Sequence, residues 1–168
     1  MNEVTNNAEF SPQPSITLDQ ARIQVLNSFF ELEVALGRWA RILGHRDANA
    51  PFGQRLKAVS EDANLPNHAS SGQVKYIRCL PEKLGDVLKV RNAIVHSRTS
   101  IGTFQGKSVI FFETSPLIFA GEGAVIPMEI EFITKNAVAA KSIASHLCNY
   151  LKQNITAAEK SEEHEGLA

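Results

Sequence analysis

The feature that most constrains the fold of this chain is a long apolar seam of helical period that begins near residue 18. Thr17 and Gln20 form a capping-box pattern at its start, and Gly44 follows its end as a residue suited to a left-handed helix cap. The period predicts an amphipathic helix of about seven turns whose apolar face, including Trp39, enters a core. The seam, broken only by Arg22, consists of Leu18, Val25, Phe29, Leu32, Leu36, Trp39 and Leu43, and Leu26 and Phe30 widen it.

The helical period returns in three further segments of the chain. A short amphipathic helix is predicted at 51–60, and a loop at 66–72 leads into another helix that Ser70 or Ser71 can cap. The last helix is predicted from about 136 to 154, where small alanines allow close packing. Its buried stripe is Ala140, Ile143, Leu147, Tyr150 and Leu151.

A helix is also predicted over the segment that ends at His96. Pro81 cannot continue an undisturbed hydrogen-bond ladder, so it either kinks the preceding helix or begins a new one. Glycine inside a helix costs roughly 1 kcal/mol relative to alanine. Gly85 therefore indicates a point at which another helix crosses closely.

Between this helix and the last one the pattern changes to the period of β-strands. Strands are predicted at 109–112 and at 128–132, where apolar residues alternate with Glu129 and Glu131, with a third at 117–119 and a turn at 121–123. This sheet could cover the core, form a dimer contact or shape a substrate groove. We therefore expect a mostly α fold with a small β insertion, namely an antiparallel helical bundle of four to five helices with an antiparallel hairpin or three-stranded sheet at about 100–133.

Length and composition favour one domain. The chain has 168 residues, of which 43% are hydrophobic, enough for one core but few for two. We predict a disordered N-terminus at 1–14, a single domain at 15–154 and a disordered acidic tail at 155–168. No apolar run approaches the ~20 residues of a membrane span, and the N-terminus lacks a signal-peptide pattern. These features predict a soluble, cytoplasmic protein without a membrane partner.

Charge is close to balanced overall but is unevenly distributed. The formal net charge is −1, which argues against a general nucleic-acid coat protein. The segment 73–98 nevertheless carries six basic residues and two acidic ones, whereas the tail is acidic. Positive charge is thus concentrated where a phosphate-contacting site would need it, although a solvated helix face has the same composition.

The concentrated charge includes an arginine within the apolar stripe of the helix that ends at His96. A buried guanidinium is costly unless it is paired, so Arg91 needs an acceptor, a water-filled groove, a second protomer or a ligand anion. Asn92 and His96 are spaced i and i+4 and share an adjacent face. The apolar residues around Arg91 on this face are Leu84, Val87, Leu88, Ile94 and Val95.

A simple explanation of this pattern is a helix C-terminus whose basic groups interact favourably with the helix dipole. The spacing also resembles a known motif. Arg91, a polar residue directly after it, and His96 beyond four intervening residues are similar to the motif of the HEPN superfamily (higher eukaryotes and prokaryotes nucleotide-binding domains). The resemblance implies a small antiparallel helical bundle, commonly dimeric, and for many members metal-independent endoribonuclease activity.

The resemblance also implies roles for individual residues. His96 would act as a general base or acid, Arg91 would hold a phosphate oxygen, and Asn92 would orient His96 or hold the phosphate. Supporting or phosphate-binding positions would be Arg98, Glu33 and Lys89. From its place on the flank of the first helix, Glu33 is either a plain surface carboxylate or a partner of Arg91 or Arg98. Residues from two protomers often meet at a dimer interface in this family, and no cofactor or metal is expected.

Two function classes remain open from the sequence. The first is a metal-independent RNA endonuclease in a toxin-antitoxin, defence or stress-response system, with a homodimeric state, an RNA substrate and an antitoxin or regulatory partner. The second is a non-catalytic dimeric binding or scaffold module in which Arg91, Asn92 and His96 form an interface network. No other catalytic pattern is present, and Cys79, Cys148 and His146 are expected to be structural or exposed.

Overall fold

A computed structural model describes residues 17–45, 50–114 and 125–165 of the chain. The predicted disordered N-terminus at 1–14, the strand at 117–119 and the turn at 121–123 lie outside the described residues. Within the described ranges no helix is long and apolar enough to cross a membrane.

The described residues form seven helices and one three-stranded sheet, which confirms the predicted mostly α fold with a small β insertion. The sheet has the order β1-β2-β3, and both neighbouring pairs are antiparallel. Two of the helices are single turns, so the count exceeds the four to five expected. In chain order the elements are α1 (Leu18–Ile42), α2 (Phe52–Glu61), α3 (Leu65–His68), α4 (Ser71–Arg78), α5 (Leu80–Lys83), α6 (Gly85–His96), β1 (Ser97–Phe104), β2 (Lys107–Thr114), β3 (Val125–Glu129) and α7 (Ile130–Glu165).

Both ends of α1 are stabilised as the sequence predicts. The Thr17 hydroxyl accepts from the Gln20 backbone N–H at 3.3 Å, and the Gln20 side chain accepts from the Thr17 N–H at 2.9 Å. Gly44 adopts φ +79°, a left-handed conformation that costs glycine little. These local bonds satisfy backbone groups that the ends of a helix leave without intrahelical partners.

The buried face of α1 is narrower than the sequence suggests. Phe29, Leu32, Leu36 and Trp39 are buried, and the Trp39 indole Nε1 donates to the Leu147 carbonyl at 3.2 Å. The prediction that Leu26 and Phe30 widen this face was wrong, because Leu26 is exposed and 66% of Phe30 is accessible to solvent. The core lies on the Phe29 side of α1, where Phe29 packs on Phe52 with 4.5 Å between ring centroids.

Helices α1 and α7 form the most extensive helix pair, and they run parallel to each other. Ala21 and Val25, early in α1, pack in one buried cluster with Ile133 and Ala137, early in α7. Trp39, late in α1, contacts Leu147, late in α7. The two helices therefore lie side by side in the same direction. Because α6 and the sheet return the chain to the start of α1, α7 begins beside that end.

The sheet extends from Ser97 to Glu129, whereas it was predicted at about 100–133. Strand β1 was not predicted, because its polar and glycine-containing sequence lacks strand alternation and its structure depends on pairing with β2, for example Ile101 with Ile110. The predicted strand to 132 was wrong beyond Glu129, because α7 begins at Ile130. Burial of Ile133 against α1 and α6 favours the helical period over the local alternation.

Pro81 lies in the first turn of α5, so of the two outcomes predicted there a new helix is the one observed. Four other local predictions differ from the structure. Residues 66–68 of the predicted loop belong to the single turn α3. A Cβ on Gly85 would meet nothing within 4 Å, so the predicted close crossing is wrong. Val95 is 43% exposed and does not join the core.

Helix α7 continues to Glu165, where a disordered tail was predicted, because residues such as Ala, Glu and Lys in 157–163 are good helix formers.

Candidate functional site

The last turns of α6 bring the three motif side chains together. Arg91 Nη1 donates to Asn92 Oδ1 at 3.2 Å and lies 3.5 Å from His96 Nε2. Guanidinium and imidazolium groups are both donors only, so a hydrogen bond between Arg91 and His96 needs the neutral imidazole with Nε2 unprotonated. His96 is solvent-exposed, whereas Arg91 and Asn92 are half-buried.

The position of Arg91 explains how a cation lies in an apolar stripe. Its guanidinium carbon lies 5.2 Å from the centroid of the Phe29 ring, within the range of a cation–π interaction. The rest of the side chain reaches a groove rather than the sealed core. Of the alternatives that the sequence left open, two are observed within this single chain, namely an acceptor, Asn92 Oδ1, and a groove.

This groove, which we call the α1–α2–α6 groove, has a volume of about 560 Å³. It lies between the middle of α1, the start of α2 and the face of α6 that carries Arg91. Its size is within the range of small-molecule sites in proteins. It is lined by Phe29, Glu33, Ala50, Pro51, Phe52, Gly53, Arg55, Leu88, Arg91 and Asn92.

Glu33 belongs to this groove but has a different partner from the one predicted. Its ion pair is with Arg55, whose Nη2 lies 3.9 Å from Glu33 Oε1. Arg55 Nη1 also donates to the Glu33 backbone carbonyl at 3.1 Å. The predicted pairing with Arg91 or Arg98 is thus replaced by an arginine of α2 that sequence reasoning missed. The one feature of the sequence that could have indicated Arg55 is its position directly before Leu56, on the short helix that packs against α1.

The other two supporting residues do not line this groove. Lys89 is exposed and pairs with Asp86 of the same helix at 3.1 Å. Arg98 is exposed on β1, opposite Glu113 in the strand register. The structure therefore gathers Arg91, Asn92 and Glu33 in the groove and places Lys89 and Arg98 outside it.

Asn92 connects the α1–α2–α6 groove with a smaller cavity beside the sheet. This cavity has a volume of about 230 Å³ and includes Lys89 and Asn92 in its lining. Ile126 and Met128 of β3 form its opposite wall. The sheet thus covers the core through the buried Ile110 and Phe112 of β2, and it shapes a cavity next to the motif.

A second cluster of polar aromatic side chains lies on the face that α4 and α7 form together. The Tyr76 hydroxyl is 3.3 Å from His146 Nδ1, and the Tyr76 ring meets Tyr150 edge-on with 5.6 Å between centroids. Lys83 Nζ lies 4.1 Å from the centroid of the Tyr76 ring. Burial, and secondly the proximity of Tyr150, raise the pKa of Tyr76 above its ordinary value of 10.0. His146, expected to be structural or exposed, is exposed and contacts Tyr76.

Comparison with known proteins adds no relative to this description. No protein-family model matches the chain, and neither the curated proteins nor the solved structures yield a match. In the described ranges there is no group of three or more His, Cys, Asp or Glu side chains placed to hold a metal ion. The interpretation of the site therefore depends on the geometry around α6 and on the motif.

Proposed function

We propose that this protein is a metal-independent endoribonuclease of the HEPN type. The observation that carries the proposal is the convergence of Arg91, Asn92 and His96 at the end of α6, with Arg91 Nη1 3.5 Å from His96 Nε2 and 3.2 Å from Asn92 Oδ1. An exposed imidazole beside a groove with a guanidinium is suited to proton transfer at a phosphodiester. The motif resemblance gives the same reaction class.

The reaction would be a transesterification within the RNA chain. A 2′-hydroxyl loses its proton to a general base, its oxygen attacks the adjacent phosphorus, and the bond from phosphorus to the 5′-oxygen breaks. The products are a 2′,3′-cyclic phosphate and a 5′-hydroxyl, which takes a proton from a general acid. His96 serves as the base in its neutral form, and Arg91 neutralises the charge that develops on the phosphoryl oxygens.

One histidine cannot be base and acid in the same step. A homodimer that places the two α6 ends close together would supply a second His96 for the other proton transfer. We therefore propose that the active form is a homodimer, acting in the cytoplasm within a defence, toxin-antitoxin or stress-response system, and held in check by an antitoxin or regulatory protein.

The test is cleavage of a mixed, end-labelled RNA pool in EDTA by the wild type, Arg91→Ala and His96→Ala, with Lys75→Ala as control. Lys75 is exposed on α4 and lines neither the α1–α2–α6 groove nor the cavity beside the sheet, so its removal tests for a nonspecific loss of charge. We expect wild-type cleavage, a loss of about 100-fold or more in the His96 and Arg91 variants, and a change within about threefold for Lys75→Ala. Absence of cleavage by the wild type would contradict the proposal.

A non-catalytic dimeric binding module is a second candidate, because Arg91 is already engaged within the chain by Asn92, His96 and the Phe29 ring. In that case the motif is an interface network. His96→Ala should then lower the melting temperature or convert dimer to monomer, measured by thermal unfolding and size-exclusion chromatography of the same proteins. An unchanged melting temperature and elution volume would exclude this second function.

A further inference from the structure

The side chain of Arg55 is an unexplained cation in the α1–α2–α6 groove. It is 14% exposed, and its hydrogen bond is to the Glu33 carbonyl, while the Glu33 carboxylate lies at 3.9 Å, the outer limit of an ion pair. Its Nε–H is buried and has no hydrogen-bond partner. Burial of a guanidinium is costly unless its donors and charge are satisfied. The present contacts leave part of that requirement unmet.

The described lining of the groove is also more positive than its carboxylate can balance. Among the residues that the structure describes, Arg55 and Arg91 line the groove and Glu33 is the one acidic side chain. Two guanidiniums with a single carboxylate leave an excess positive charge in a partly enclosed space, where electrostatic interactions are stronger than in water. An anion entering the groove would therefore be attracted by both arginines.

The start of α2 adds to this charge. Pro51 is the N-cap and makes no side-chain capping bond, and the first backbone donors to its carbonyl are the N–H groups of Gln54 and Arg55. The N–H groups of Phe52 and Gly53 lie at the positive end of the helix dipole. A Cβ on Gly53 would meet nothing within 4 Å, so the space beside this backbone is open. The two arginines carry the inference, and this helix end supports it.

We propose that the α1–α2–α6 groove contains a phosphate-binding subsite in which Arg55 holds the phosphodiester next to the one that Arg91 contacts at the cleavage position in single-stranded RNA. This inference rests on the proposed function for its choice of RNA. The guanidinium fork suits phosphate oxygens because two of its N–H groups can donate to one anion. Phe29 and Phe52, which pack on each other, form the apolar side of the groove. Arg55 is thus a binding residue for the substrate, and Glu33 positions it.

The test is binding of a fluorescent, fully 2′-O-methylated single-stranded RNA oligonucleotide, which lacks the attacking hydroxyl and so reports affinity without cleavage. Arg55→Gln is compared with Arg78→Gln, which removes the same charge from an exposed arginine of α4 that does not line the groove. We expect Arg55→Gln to weaken binding about 5- to 20-fold at low salt and Arg78→Gln to change it less than twofold. The dependence of log affinity on log salt concentration should also become shallower by about 0.7 for the lost phosphate contact.

Equal affinities of Arg55→Gln and Arg78→Gln, or no binding by the wild type, would overturn the inference. If Arg55→Gln does not fold, judged by circular dichroism and melting temperature, Arg55→Lys decides the question. It keeps the charge and loses the fork, so weaker binding with an unchanged salt slope is expected, and wild-type affinity would overturn the inference.

The binding assay and the cleavage assay test the two proposals separately. Arg55-dependent binding without wild-type cleavage would reject the nuclease and retain the phosphate subsite. Cleavage together with binding that does not depend on Arg55 would retain the nuclease and reject the subsite.

Discussion

Adjacent residues on α1 have opposite environments, and the difference is decided by what covers each one. Phe29 is buried, packs against Phe52 and lies beneath the Arg91 guanidinium. Phe30, the next residue, points to solvent beside a groove shared with α7. Because helical neighbours differ by about 100° in direction, one residue can serve the core while the next does not. Only the placement of α2 and α6 decides which one is buried.

Trp39 gives a prediction at the scale of a single residue. Its ring is fully buried, and its Nε1 donates to the Leu147 carbonyl. Trp39→Phe leaves a cavity and removes this hydrogen bond, so we expect the free energy of unfolding to fall by about 2–3 kcal/mol. Urea unfolding followed by far-UV circular dichroism measures the change. Phe30→Leu, on the exposed side of the same helix, is the control and should stay within about 0.5 kcal/mol of wild type.

At the scale of elements, the β1–β2 hairpin illustrates how a strand forms without a strong strand pattern of its own. Gly102 lies opposite Val109, and the side chain of Phe111 on β2 covers Gly102. A Cβ at position 102 would lie 2.7 Å from Phe111 Cε2, closer than van der Waals contact allows. The glycine leaves the space that the aromatic ring occupies, an arrangement that helps to fix register between strands.

Gly102→Ala is therefore expected to displace the Phe111 ring and lower the free energy of unfolding by about 1 kcal/mol. A double-mutant cycle with Phe111→Ala tests the cause, because the cost of the alanine should disappear when the ring is absent. Gly72→Ala is the matched control, since a Cβ there meets nothing within 4 Å in the first turn of α4. An equal cost of Gly102→Ala in both backgrounds would show that the ring is not the cause.

At the scale of the whole molecule, the chain is closed by contacts between α7 and elements formed much earlier. Helix α7 packs along α1, and its Tyr150 and His146 contact Tyr76 of α4. Asn154 Nδ2 donates to the carbonyl of His68, the last residue of α3, and Gln153 accepts from Gln73 of α4. Unfolding of α7 would therefore release α1 and α4 together, which favours cooperative behaviour of the described domain.

The raised pKa of Tyr76 makes the free energy of unfolding depend on pH in the alkaline range. The folded protein retains the phenol proton to higher pH than the unfolded chain, so the contribution is fully present below pH 10.0 and is lost as pH rises through the folded pKa. We expect the free energy of unfolding to decline above about pH 10 and Tyr76→Phe to make the decline shallower. Urea titrations from pH 8 to 11 measure it. Identical pH dependence of the two proteins would contradict this assignment.

The predictions that were confirmed depend mainly on interactions between residues close in sequence. The Thr17–Gln20 capping box, the left-handed Gly44 and the buried Trp39 follow from local hydrogen bonding and helical period. Within the candidate site, the proximity of Arg91 to Asn92 and His96 has the same origin, because they lie on adjacent turns of one helix. Sequence spacing alone was sufficient to place these side chains together.

Other parts of the site depend on residues distant in sequence. Glu33 was predicted to meet Arg91 or Arg98, but it contacts Arg55, which is separated from it by 22 positions. The start of α7 at Ile130 was also missed, since its first turn is favoured by burial of Ile133 against other helices. No pattern of neighbouring residues predicts the Glu33–Arg55 contact or the start of α7, because each depends on which elements pack together.

By itself the sequence determined the mostly helical class, the ends of α1 and the grouping of Arg91, Asn92 and His96, because hydrogen bonds and side-chain directions along one helix repeat with a fixed period. Only the tertiary structure decided the parallel pairing of α1 with α7, the exposure of Phe30 and the meeting of Arg55 with Glu33. These features arise from the hydrophobic effect, which is non-directional. It depends on the apolar area that is buried and not on which particular surfaces meet. The α1–α2–α6 groove is the product of that packing.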